Sequence, residues 1–162
     1  MSESHTAYLN LGSNIEPERH LPGAIRLLRE HGQVKAISNA WESHAFGSDG
    51  PNFLNACVLF LTPLDVIELK EQVIRPIEAA LGRVRSADKY APRTIDIDII
   101  LFDDEPLGGE FWSKAFVVVP LAELLPNFEH PTRHEKLFRV SEQLRSRIWI
   151  VQREDVVIGR EE

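Results

Sequence analysis

The sequence holds a single cysteine, Cys57, among 162 residues. No internal disulfide can form, so a reducing compartment fits. Positive charge is also short. Lys and Arg number 18 against 25 Asp and Glu, for a net charge of −7. An acidic surface repels phosphate backbones and anionic lipids, so neither nucleic acid nor a membrane is expected as a partner. Long hydrophobic runs are missing, and nothing approaches the roughly 20 apolar residues of a membrane span. The opening MSESHTAYLNLGSN has neither the basic start nor the apolar stretch of a secretory signal. A cytoplasmic protein is expected. The common glycine-rich nucleotide motifs are absent too: neither G-x-x-x-x-G-K-[ST] nor G-x-G-x-x-G occurs.

What is present is an ordinary globular composition, 43% hydrophobic and 27% charged. Residues 1–162 read as one domain large enough for a core. AYLNLG (7–12) alternates and reads as a strand. Residues 13–32 read as a helix capped by Ser13 or Asn14 and ended by Gly32. QVKAISNAWES (33–43) reads as a second strand, HAFGSDGPN (44–52) as a loop, and FLNACVLFLT (53–62) as a third strand. Thr62-Pro63 predicts a helix start, Pro76 a kink within that helix and Gly82 its stop. TIDIDIILF (94–102) is a fourth strand. The order β-α-β-β-α-β predicts an α+β fold, a split βαβ sheet with helices on one face and C-terminal additions. In the last third, FVVVPLAELLP predicts a short strand and a short helix, and IWIVQREDVVI a strand or hairpin.

The few cations are concentrated. Residues 75–93 carry Arg75, Arg83, Arg85, Lys89 and Arg93 against Glu78 and Asp88. An acidic chain that gathers positive charge in one stretch points to an anion bound there. Directly behind it come Asp96 and Asp98. Side chains at i and i+2 share one face of a strand, about 6.6 Å apart at the backbone. Two such carboxylates repel and resist burial unless a cation joins them. Mg²⁺ takes carboxylates together with substrate phosphate oxygens, and two ions can clamp a phosphoryl group. Guanidinium forks match phosphate oxygens. A D-x-D pair alone also suits a solvated strand end. Its combination with GRVR and APR is far more specific.

These residues carry a resemblance. GRVR followed by APRTIDIDIILF resembles the signature of the 6-hydroxymethyl-7,8-dihydropterin pyrophosphokinase family. AYLNLGSNI, GPNFLNACVLF and FVVVPLAELLP resemble other segments of that family, so the likeness spans roughly residues 7–137. It implies a ferredoxin-like fold and transfer of pyrophosphate from ATP to the hydroxymethyl group of a reduced pterin, with release of AMP. By position, the resemblance implies that Asp96 and Asp98 hold two Mg²⁺ ions and that Arg83 and Arg93 steady the polyphosphate. It implies ATP contacts from Glu78, Arg85, Tyr90, Arg93 and Ile99, with Lys114 in the place of an arginine; Arg75, a departure from the family, is expected to add positive charge at ATP. On the pterin side it implies Asn55 as a hydrogen-bonding residue, Phe53 and Phe116 flanking the ring, and Ser43, Ala45 and Phe46 as a loop. Independently of the family, Phe53 and Asn55 share a strand face, and an aromatic beside an amide suits a flat heterocycle. ATP and a reduced pterin are thus the expected partners, and a monomer is expected.

The chain departs from the family between Phe102 and Phe116. A longer loop with a Pro-His pair and an arginine is usual there; this sequence has DDEPLGGEFWSK. Lys114 stands where a second arginine is expected, which keeps the charge and loses the fork. ESHAFG replaces a threonine- and proline-containing loop, Tyr90 replaces a frequent tryptophan, and Arg75 supplies an additional cation. Two alternatives stay open: a pterin- or nucleotide-binding module with little turnover, and a related pterin alcohol as substrate. His130 and His134 lack the partners of a zinc site. Cys57 and the tryptophans at 41, 112 and 149 read as packing residues. The tail RIWIVQREDVVIGREE shows no functional motif.

Overall fold

The structure is a computed structural model that describes residues 4–45, 49–84, 87–88, 91–156 and 158. Seven strands form one sheet, in the order β6-β5-β1-β4-β3-β7 with β2 also paired to β4. The elements are β1 His5–Ser13, α1 Pro17–His31, β2 Gln33–Ile37, β3 Trp41–Ser43, β4 Phe53–Thr62, α2 Val66–Leu69, α3 Arg75–Ala80, β5 Asp96–Phe102, β6 Glu105–Pro106, α4 Ala115–Leu124, α5 Leu137–Arg147 and β7 Ile150–Gln152. A π-helical turn, Lys70–Ile74, joins α2 to α3, and a 3₁₀ turn, Gly109–Ser113, precedes α4. With β2 and β3 taken as one interrupted strand, the central order β5-β1-β4-β2/β3 is the expected split βαβ sheet, antiparallel at every pairing.

The alternation of β1, β4 and β5 decides the two faces. Leu9 and Leu11, Leu54, Ala56 and Val58, and Ile97 and Ile99 pack with α1, α2 and α3 in one core. Tyr8, Cys57 and Leu101 pack with Trp112, Val117, Val118, Leu121, Leu137 and Val140 in another. Helices therefore cover both faces, where the sequence predicted one. The second layer is α4 and α5. Its first member overturns the strand expected at FVVVP: Val117 to Ala122 are all buried. A helix that is apolar all round leaves no periodicity to read, and burial overrides the β-preference of three valines.

Three other expectations are corrected. Residues 33–43 form two strands, because Ser38 leaves the ladder: its Oγ accepts from Cys57 N–H at 2.8 Å. The α2 cap is Asp65, not Thr62. Asp65 accepts from Glu68 N–H at 2.8 Å and Glu68 reaches back to Asp65 N–H at 3.0 Å, a reciprocal capping box. The α1 cap is Glu16, in the left-handed region at φ 43°, not Ser13 or Asn14. Asn14 is drawn away to the segment before β5: its Oδ1 accepts from Arg93 N–H at 2.8 Å, and its own N–H donates to Arg93 O at 3.2 Å. Near Pro76 the distortion takes the form of the π turn Lys70–Ile74 just before it, which widens the ladder where proline lacks an N–H.

Candidate active site

Two cavities open on the α4-side face of the sheet and along its β5 edge, and they meet at the two aspartates. The larger, about 490 Å³, is lined by Gly12, Ser43, His44, Phe53, Asn55, Arg93, Lys114 and Phe116 among others, with Asp96 and Asp98 at one side. The smaller, about 260 Å³, is lined by Arg75, Glu78, Arg83 and Ile99, again with Asp96 and Asp98. Strand register explains the convergence. Asn10 lies opposite Asp98 on one side and Cys57 on the other, and Gly12 lies opposite both Asp96 and Asn55. Directly opposed residues point to the same face. The D-x-D pair and the Phe53/Asn55 pair are therefore carried to one floor across β1. Gly12 keeps that floor open: a Cβ there would sit 3.3 Å from Asn55 Oδ1 and 3.6 Å from Phe53.

The charged side is tightly paired. Arg83 Nη1 donates to Glu78 Oε2 at 2.7 Å and to Asp96 Oδ1 at 2.8 Å. Arg93 Nη1 donates to Asp96 Oδ2 at 3.3 Å. Glu78 is 4% exposed and also accepts from Ile97 N–H at 3.1 Å. It thus fixes Arg83 and the backbone of β5 together. The end of α3 makes this possible, since Gly82 turns at φ 81° and Arg83 N–H returns to Glu78 O at 3.0 Å.

Asp98 has a different balance. Burial, followed by the charges of Asp96 and Glu78, pushes its carboxyl up to about 7, against the pull of Arg83 and Arg93. Burial first, and the neighbouring carboxylates second, thus disfavour a further bare negative charge there. The donor set at this edge, two carboxylates and no soft ligand, fits a hard divalent cation. Asp96 and Asp98 would hold it, with water and substrate oxygens completing its shell.

The neutral side is organised by hydrogen bonds. Asn55, 2% exposed, donates through Nδ2 to Trp41 O at 3.1 Å and Ser43 Oγ at 2.8 Å. Its carbonyl oxygen is left on the Gly12 side, as an acceptor for a ligand N–H. Phe53 and Phe116 line the same cavity.

The residues expected from sequence divide as follows. Arg83, Asp96, Asp98, Arg75, Glu78 and Ile99 gather at the smaller cavity, and Ser43, Phe53, Asn55, Phe116 and Arg93 at the larger. Lys114, expected at ATP, lines the larger cavity rather than the smaller. Ala45 lines neither. Arg85, Tyr90 and Phe46 lie outside the described residues. Sequence reasoning missed Asn10, Asn14, His44 and Phe111. Asn10 alternates with Gly12 on β1, a signal readable only once β1 is known to lie between β4 and β5. Phe111 lines both cavities, on the short segment that replaces the usual loop. His130 is a structural residue: its Nε2 donates to Trp112 O at 2.6 Å, and its Nδ1 accepts from Thr132 and Arg133 N–H. The Cys57 thiol is fully buried, and burial pushes it up, away from any nucleophilic role.

Comparison with known proteins decides the family. Residues 8–126 match the profile of 7,8-dihydro-6-hydroxymethylpterin-pyrophosphokinase (HPPK). The chain belongs to the HPPK family. It is 33% identical over 153 residues to the 2-amino-4-hydroxy-6-hydroxymethyldihydropteridine pyrophosphokinase of Synechocystis sp., covering 88% of this chain and 77% of that one. With the enzyme of the same name from Bacillus subtilis it shares 36% over 138 residues, covering 78% and 81%. Among solved structures, the HPPK-DHPS of Plasmodium falciparum with pteroate superposes with a TM-score of 0.68 at 13% identity, over 91% of this chain and 43% of that one. This chain thus spans less than half of that longer protein, and the likeness establishes the ferredoxin-like HPPK fold. Among the described residues, no helix is long and apolar enough to cross a membrane.

Proposed function

We propose that this chain transfers the terminal pyrophosphoryl group of ATP to the hydroxymethyl oxygen of 6-hydroxymethyl-7,8-dihydropterin, with Mg²⁺ and with release of AMP. Membership in the family makes it a pyrophosphokinase of folate biosynthesis. The observation that carries the finer reading is the meeting of two chemically unlike cavities at one carboxylate pair. The larger offers aromatic rings, a buried amide oxygen and a small-residue floor, which suit a flat heterocycle with N–H donors. The smaller offers Arg75 and Arg83 beside apolar Ile74 and Ile99, which suit a triphosphate and a purine.

In this reading Phe53 and Phe116 hold the pterin ring, and Asn55 Oδ1 accepts a ring N–H. The hydroxymethyl arm then lies toward Asp98. Arg83 and Arg93 present guanidinium groups to the polyphosphate and stabilise the charge that spreads over its oxygens as the bond to AMP breaks. Glu78 acts through Arg83, holding it at the edge of β5. Two Mg²⁺ ions, held by Asp96 and Asp98, would neutralise the carboxylates and draw negative charge from the phosphoryl oxygens. The protein contributes little covalent chemistry; it aligns two substrates and excludes water. Phe111, at the shared wall, is placed for the exclusion. We further propose a single domain that acts as a monomer in the cytoplasm.

The test is product analysis. ATP, Mg²⁺ and 6-hydroxymethyl-7,8-dihydropterin should give AMP and the pterin pyrophosphate in equal amounts, with no AMP when either Mg²⁺ or pterin is left out. Binding of both substrates without AMP would replace this reading with that of a binding module. Formation of ADP instead would mark a monophosphoryl transfer and contradict it.

A further inference from the structure

The C-terminal segment has no part in the chemistry above, yet it touches the wall of the larger cavity. β7 pairs with β3 at the sheet edge, with Ser43 opposite Ile150. Continuing that register sets His44 opposite Trp149, and the two rings stack at 4.4 Å and 19°. His44 lines the larger cavity; Trp149 does not, and it is 43% exposed. A second tie runs in parallel. His44 Nδ1 lies 3.2 Å from Asn52 Oδ1, Asn52 Nδ2 donates to Glu42 Oε2 at 2.8 Å, and Arg153 Nη1 donates to Glu42 Oε1 at 2.7 Å. Arg153 is itself held by Asp155 through two bonds of 2.8 Å. One segment, Trp149 to Arg153, thus holds the end of β3 at two points, Glu42 and His44.

We infer that Trp149 is a positioning residue for the pterin: by stacking on His44 it holds the Ser43–His44 wall in the place that receives the ring. The inference rests on the assignment of the larger cavity to the pterin. Ser43 is fixed by the ladder and by Asn55, whereas His44 lies just past the last β3 pair. The aromatic stack orders its ring beside the cavity, and ordering before binding raises affinity.

Steady-state kinetics on the full chain test this, with pterin and ATP varied separately. Trp149→Ala should raise the pterin KM about three- to tenfold, the range of an aromatic pair, while kcat and the ATP KM stay within twofold. Trp149→Phe should restore the wild-type value, since a ring remains. Trp149→Leu keeps apolar bulk without the ring and should behave as the alanine variant, which guards against a folding defect in the latter. The double variant Trp149→Ala/His44→Ala should be no worse than His44→Ala alone. Val151→Ala, exposed on the same strand, should change nothing. An unchanged pterin KM in Trp149→Ala, or equal losses in kcat and both KM values that phenylalanine does not rescue, overturns the inference. If Asn55→Ala also leaves the pterin KM unchanged, the cavity assignment falls with it. If Asn55→Ala raises that KM and Trp149→Ala does not, the inference alone falls.

Discussion

The two walls of the cleft solve opposite problems. On the β5 side, Glu78, Arg83, Arg93 and Asp96 are locked in ion pairs of 2.7–3.3 Å, and Asp98 sits among them with its carboxyl pushed up to about 7. On the β4 side, Asn55 and Ser43 are neutral and buried, beside the rings of Phe53 and Phe116. The first wall stores charge against the arrival of a charged ligand. The second stores shape and one directed acceptor. The difference teaches where binding and chemistry separate: damage to the charged wall should reach the rate, and damage to the neutral wall should reach pterin affinity with the rate little changed.

The largest break in that contrast is Arg83→Ala. It takes an ion-pair partner from Glu78, whose side chain is 5% exposed, and breaking a buried pair from one side costs about 3–5 kcal/mol. Urea unfolding should show a loss of that order, and Glu78→Gln in the same chain should recover part of it. On the neutral wall, Asn55→Ala removes an acceptor for a ligand N–H, and its pterin KM should rise about tenfold, one hydrogen bond in a buried site, with the ATP KM unchanged. The comparison is sharpened further through pH. The Asp98 carboxyl stands at about 7 when folded against an ordinary 3.8. Between those values the unfolded chain has lost a proton that the folded chain keeps, so this group lowers stability as pH rises through the window. Asp98→Asn should therefore melt close to the metal-free wild type at pH 4 and about ten degrees above it at pH 8. Saturating Mg²⁺ should shrink or reverse that gap.

Much of the fold was legible because β1, β4 and β5 are apolar runs of strand length and each is bounded by a turn or helix signal. The charged half of the site was legible for a related reason: Arg83, Arg93, Asp96 and Asp98 lie within sixteen residues and strand geometry alone puts the aspartates side by side. The neutral half needed the third dimension. Asn55 and Asp96 are brought together only through Gly12, to which both are registered. α4 was misread because three consecutive valines favour a strand until burial on every side decides otherwise. Asn14 looked like a cap, since asparagine before a helix usually is one; its use on the Arg93 backbone depends on a contact 79 residues away. His44 was passed over because its partner, Trp149, lies on a tail with no motif of its own.

The central claim is that the reaction occurs at the Asp96–Asp98 edge shared by both cavities. It is tested most directly by single-turnover AMP release from Asp96→Asn with ATP, Mg²⁺ and pterin all saturating. The account predicts a rate lower by about 10²–10³ or more, as when a key charge-stabilising group is lost, with the pterin Kd within threefold of wild type. A rate within tenfold of wild type would contradict it.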